Sequence, residues 1–301
     1  MYEQIAANKR KTFYLVALFV VLTFLVGAAF VFFLKGGVVG LVIVAIIVIV
    51  GSVISYYNSD KVALAMSRAK PADPVEYARY HNLVEGLCIA SGLPKPRLYI
   101  VEDDAPNAFS TGRNPKHAAV AVTTGLLAKM NRVELEGVLA HELSHIRNYD
   151  VLVMTLAVTM VGIIALLSDF FLRFMFWTGG RGNRDSNDSG IVGGILAIFG
   201  FILLIFAPII ASLMQFAVSR KREYLADASG VQMTRYPPGL ISALKKLKDD
   251  TTVIHTASKA TAHLWIEEPL DTESKRPGVK MNKLFATHPP LDDRIAALEA
   301  M

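Results

Sequence analysis

The nine residues Val138-Leu139-Ala140-His141-Glu142-Leu143-Ser144-His145-Ile146 decide how the rest of this 301-residue chain is read. They hold two of its seven histidines, four positions apart, with a glutamate directly after the first. Four residues of α-helix advance by about 400°, so imidazoles at this spacing share one face, a turn apart. From there both nitrogens reach a single tetrahedral metal at about 2.0–2.1 Å. Glu142 stands beside the first of them, placed to take a proton from an attacking water while the metal serves as Lewis acid. The helix that this requires is announced upstream. Asn131-Arg132-Val133-Glu134 places an N-cap residue three positions before a capping-box acid and predicts a helix continuing through His145.

Outward from that helix the chain is too apolar for an ordinary water-soluble domain. Hydrophobic residues make up 53% and charged residues 19%, with a mean hydropathy of +0.41, which also excludes an intrinsically disordered chain. Cys88 is the only cysteine, so neither a disulfide framework nor a Cys-rich metal module is available. The net charge of +5 is not gathered in one long basic run. Several basic residues flank apolar segments instead, which favours anionic lipid over nucleic acid as partner.

Four apolar segments are expected to cross a bilayer. Residues 13–34 and 38–57 carry no charge, and each is long enough for about 30 Å of hydrocarbon. The short link Lys35-Gly36-Gly37 between them forces a tight helical hairpin. A third segment, 151–177, is interrupted by Asp169 and Arg173. A fourth, 191–217, is uncharged, with Pro208 as an expected kink, and a polar glycine-rich loop precedes it. Lys9-Arg10-Lys11 resembles a signal-peptide n-region, but the apolar run after it is too long for an h-region and a second run follows at once. By the positive-inside rule Lys9, Arg10, Lys11, Lys61, Arg68, Lys70, Arg220, Lys221 and Arg222 all lie in the cytoplasm. The chain then divides into a transmembrane hairpin (1–57), a first polar part (58–150), a second hairpin (151–217) and a second polar part (218–301).

That topology bears on the third metal ligand. A further histidine in the extended H-E-x-x-H-x-x-G-x-x-H pattern is excluded, because positions 148 and 151 hold Asn148 and Val151. Asp169, about twenty residues downstream, would be carried about 25 Å away by a crossing helix. An acid just after the fourth apolar segment returns on the motif's own side, and Arg222-Glu223-Tyr224-Leu225-Ala226-Asp227 begins there. Glu223 and Asp227 are i and i+4 on one helix face, so one can bind the metal while the other orients a ligand histidine. Glutamate has the longer reach. Elsewhere, Asp73-Pro74-Val75-Glu76 predicts a helix ending before Gly92. Arg97–Val101 and Ala118–Thr123 have strand composition, Asn107–Gly112 suits a short edge strand, and a last helix spans Leu291–Leu298.

His141–His145, the Glu223-x-x-x-Asp227 pair after a membrane hairpin, Asn107-Ala108-Phe109-Ser110-Thr111-Gly112 and Thr287-His288-Pro289-Pro290 together resemble the HtpX-type membrane metalloproteases of peptidase family M48. The likeness covers essentially the whole chain. It implies a mixed α+β fold: two transmembrane helical hairpins plus a zincin-like catalytic domain built from two cytoplasmic segments. It further implies one zinc ion per chain on His141, His145 and Glu223, with Glu142 as catalytic glutamate and Asp227 supporting a ligand. The implied substrates are misfolded or damaged membrane proteins, or unfolded polypeptides, cleaved from the cytoplasmic side of a bacterial inner membrane. Asn107 and its strand would then border the substrate by strand addition, and His288 would help stabilise an oxyanion. Arg220 is a candidate for holding an acid near the site, or simply a basic membrane flank. The related CAAX-type prenyl-protein peptidases are larger, with more membrane helices than the four expected here. A scaffold without activity would have no use for Glu142.

Overall fold

The computed structural model describes residues 36–156, 220–254, 264–266 and 289–301, with scattered positions from 10 to 32 that are all helical. The third and fourth apolar segments lie outside the described residues beyond position 156. Among the described residues one helix, α1 (Gly37–Met66), is long and apolar enough to cross a membrane. Its first two-thirds carry exposed apolar residues that include Val38, Ile43, Ile47 and Ile54. Glycines bring the preceding segment against it. A Cβ on Gly40 would lie 2.7 Å from Val31 Cγ1, and one on Gly27 would lie 2.3 Å from Val44 Cγ1. Small residues at such contacts let helices approach closely in lipid.

The helix does not stop at Tyr57, where the uncharged run ends, but continues to Met66. Nothing between Asn58 and Met66 breaks a helix, and its polar residues find partners. Asp60 pairs with Arg97, while Ala63 and Leu64 are buried against the sheet. Arg113 donates to the Tyr57 carbonyl at 3.1 Å and lies over its ring at 4.8 Å.

Strands β1 (Lys70–Pro71), β2 (Arg97–Val101), β3 (Ala108–Gly112) and β4 (Ala118–Thr123) form one sheet in the order β1-β2-β4-β3. β2 and β4 run parallel, with Arg97 opposite Ala119, and the outer pairs are antiparallel. β4 is buried throughout, which explains its unbroken apolar composition. Ala118, Val120 and Val122 enter the larger core and Ala119 and Ala121 a smaller one on the opposite face. Pro71, which has no N–H, sits on the short outer strand, where that loss is tolerated.

Between β1 and β2 stands α2 (Ala78–Ser91), ended by Gly92 at φ 70°. Its first turn is looser than the sequence suggests. Asp73 does accept from the Val75 and Glu76 amides, but the helix proper begins at Ala78. The short α3 (Thr124–Lys129) follows β4, capped by Thr123. Then comes α4 (Arg132–Arg147), where the Asn131–Glu134 capping box is complete in both directions. α5 (Arg220–Thr234), α6 (Pro237–Asp249) and α7 (Leu291–Glu299) close over it. Leu135, Val138, Leu139 and Leu143 of α4 meet Leu240, Leu244 and Leu247 of α6 in the larger core. This buries the part of the helix that carries the two histidines.

Candidate active site

α4 brings His141, Glu142 and His145 to the centre of the domain, all at most 3% exposed. α5 crosses it closely. A Cβ on Gly230 would stand 3.0 Å from the His141 amide nitrogen, so only glycine fits without displacing a backbone. Glu223, Asp227 and Gly230 fall at i, i+4 and i+7 along one face of α5, and both acids are buried there. Burying two carboxylates is costly unless each is paired, and both are.

His141 Nε2 and His145 Nε2 lie 3.1 Å apart. The Glu223 carboxylate approaches them at 3.6 Å and 3.5 Å respectively. Four ligands about 2.0–2.1 Å from a tetrahedral zinc stand about 3.3 Å from one another, so the three groups are spaced as a zinc site requires. They are also the only group of three potential ligand residues of this kind among the described residues. The outer imidazole nitrogens are held as well. Asp227 Oδ1 lies 2.9 Å from His141 Nδ1, and Asp150 Oδ2 lies 3.2 Å from His145 Nδ1.

Arg294 of α7 closes the far side, with no exposed surface. Its Nε and Nη2 donate to the two Asp227 oxygens at 2.8 Å and 2.6 Å, and Nη1 lies 3.6 Å from Glu223. These charges set the titration of the cluster. Burial favours the neutral acid at Asp227, but Arg294 and His141 hold it ionised, down to about 2. Burial and Arg294 disfavour the imidazolium at His141, yet Asp227 and Glu223 raise it to about 9.

The sequence brings His141, Glu142, His145, Glu223 and Asp227 forward, and the structure gathers all five. Asn107 is buried at the start of β3, where its Oδ1 accepts from the Ala108 amide at 3.0 Å. His288 lies outside the described residues. Arg220 is exposed, and the arginine paired with Asp227 is Arg294. A signal for it existed: Leu291, Arg294, Ile295 and Leu298 fall at i, i+3, i+4 and i+7, so an arginine occupies the apolar face of the last helix. Asp150 had no such signal. It returns to His145 because Tyr149, at φ 61°, turns the chain after α4 through a conformation rare for a residue other than glycine.

The buried pair of histidines one turn apart, the adjoining glutamate and the acid-bearing second helix define a metallopeptidase centre, and the chain belongs to peptidase family M48, whose model matches residues 74–301. It is 47% identical to a "Protease HtpX homolog" of Caldanaerobacter subterraneus subsp. tengcongensis, over all of this chain and 98% of that one. A "Protease HtpX homolog" of Listeria monocytogenes serotype 4a is 44% identical over the full length of both. The chain is a membrane metalloprotease of the HtpX type. Its fold is shared with the crystal structure of S. mikatae Ste24p, at a TM-score of 0.50 and 17% identity, covering 99% of this chain and 67% of that one.

Proposed function

We propose that the chain binds one zinc ion through His141, His145 and Glu223 and hydrolyses peptide bonds with Glu142 as general base. The convergence of the two Nε2 atoms and the Glu223 carboxylate, at 3.1–3.6 Å from one another, carries this reading. Zinc, when bound, supplies a Lewis acid that polarises the scissile carbonyl and acidifies water. Glu142 supplies the proton transfer. Its Oε2 is buried without a hydrogen-bond partner among the described residues, so it is available to take a proton from the attacking water and pass it to the departing nitrogen. Asp227 and Asp150 accept from the outer nitrogens of His141 and His145, which fixes the tautomers and turns Nε2 of each inward. Arg294 neutralises Asp227, so that two buried acids can remain ionised side by side.

The natural substrates in this reading are damaged or misassembled membrane proteins, cut on the cytoplasmic side. Supporting it are the basic flanks of the apolar segments and the direct continuation of α1 into the catalytic domain. Residues 58–150 and 218–301 would form that domain, with 1–57 and 151–217 as the two membrane hairpins. Zinc content per chain and casein cleavage in detergent test the proposal together. Glu142→Gln should retain a full equivalent of zinc and lose at least about 10²-fold in cleavage, the range typical of general-base loss. Near-normal turnover by that variant would remove Glu142 from the mechanism.

A further inference from the structure

The outer edge of β3 is already occupied. Phe109 forms an antiparallel bridge with Trp265, and the Ile266 amide donates to the Ala108 carbonyl at 2.9 Å. The Trp265 and Phe109 rings meet edge to face, 4.7 Å between centroids. Leu264, Trp265 and Ile266 are all at most 3% exposed. The short strand also reaches the zinc-ligand cluster. Arg294 Nη1 donates to the Ile266 carbonyl at 3.4 Å, while Nη2 of the same guanidinium lies 3.4 Å from His141 Nδ1.

An exposed strand edge pairs with one further strand only, and an extended polypeptide bound beside the histidine helix would need this edge. We propose that Leu264-Trp265-Ile266 is an internal pseudosubstrate on the β3 edge, with Trp265 holding the place on Phe109 that a large aromatic side chain of an extended apolar polypeptide takes when it replaces the strand. The proposal rests on the peptidase reading above and names the substrate class of that same site. The occupant displays what the edge accepts: three uncharged residues, the central aromatic one against Phe109. Chains of this composition are buried in folded membrane proteins and become available when they unfold. The internal strand is also imperfectly satisfied, because Trp265 Nε1 is buried with no hydrogen-bond partner among the described residues. A buried donor left unmade weakens the hold of its segment, which suits a strand that must give way. With the ligands and Glu142 at most 3% exposed, an incoming chain must displace something, and the strand on this edge is its direct competitor.

A reversible lock tests the exchange. The register that pairs Phe109 with Trp265 sets Ser110 opposite Leu264, and directly opposed residues in an antiparallel pair lie within disulfide range. Ser110→Cys and Leu264→Cys are introduced into the full chain in detergent, together with Cys88→Ala and Glu142→Gln to prevent cleavage. The probe is a fluorescein-labelled decapeptide with Leu-Trp-Ile at its centre and Ser and Lys around it. Reduced protein should bind it, and oxidation should weaken binding at least tenfold, reversibly with reductant. The same peptide with Ser-Ser-Ser at its centre should bind neither form. Trp265→Ala without the lock should bind the Leu-Trp-Ile peptide several-fold more tightly. Equal binding before and after oxidation, no binding in either state, or failure of the cysteines to pair would each overturn the proposal. So would weaker binding by a folded Trp265→Ala variant, which would make the strand a wall of the groove. Casein cleavage by the unmodified chain is measured separately, and its absence would sink the peptidase reading while the binding result still stands.

Discussion

Glu223 and Asp227 are one helical turn apart and both buried, yet their surroundings separate their roles. The Glu223 carboxylate faces the inner nitrogens of both histidines, whereas Asp227 is taken up by Arg294 and the outer nitrogen of His141. Glu223→Ala should therefore lose most of its zinc. Asp227→Asn should weaken zinc binding by the roughly 10–100-fold typical of losing a group that supports a ligand. Metal titration of the two purified variants checks this, and zinc-free Asp227→Asn beside fully loaded Glu223→Ala would reverse the assignment. Arg294→Ala leaves Asp227 buried without its paired arginine, which typically costs about 3–5 kcal/mol. Denaturant unfolding should report that loss. Asp227 and Glu223 were legible as a pair because helical spacing alone puts them on one face. Which of them meets the histidines rested on glutamate's longer reach and on the family resemblance, not on spacing, because Arg294 arrives from a helix 67 residues beyond Asp227.

Among the elements, the helix carrying the histidines is also the one held most closely by its neighbours. A Cβ on Gly137 would stand 2.7 Å from the Leu240 backbone nitrogen at the start of α6. Alanine favours a helix interior over glycine by roughly 0.5–1 kcal/mol, so propensity alone predicts stabilisation by Gly137→Ala. Packing decides otherwise. The backbone of α6 must move, and overpacking of this kind typically costs about 1–3 kcal/mol, so the net effect should be a lower melting temperature. The bounds of β2 and β4 follow directly from composition, since apolar runs bounded by turn residues pair wherever both faces are covered. α6 was not singled out, although Leu240, Ala243, Leu244 and Leu247 give it a clear apolar stripe. The last nine residues of α1 were less accessible: Ser59, Asp60 and Lys61 look like the end of a membrane helix, and only the pairing of Asp60 with Arg97 shows where the polar turn goes.

For the molecule as a whole, the proposed orientation makes a labelling prediction. Val133 and Lys221 are exposed, so Val133→Cys and Lys221→Cys should react with a membrane-impermeant maleimide only from the cytoplasm, and Ser186→Cys only from the other side. Ser144, although in the motif, is fully buried and offers no labelling position. Cys88 gives no background, because burial pushes its thiol up to about 11 and little thiolate exists at neutral pH. The unmodified chain should label only after denaturation. The signs of the flanking charges were the reason to expect both polar segments on one side, whereas the internal strand on β3 involves three residues, too few to carry any periodicity. The length of α1 has a further consequence. In the proposed orientation Tyr56 and Tyr57 would stand at the lipid boundary, where such residues anchor helices, and the stretch from Asn58 to Met66 would extend about 13 Å beyond it along the axis. The helix would then be a measuring rod, fixed at one end in the bilayer, while Ala63 and Leu64 fix the other end in the sheet. In the proposed orientation a membrane-anchored chain would reach the cutting site only after several residues had been drawn clear of the lipid, so the rod would spare loops that lie tight against the surface.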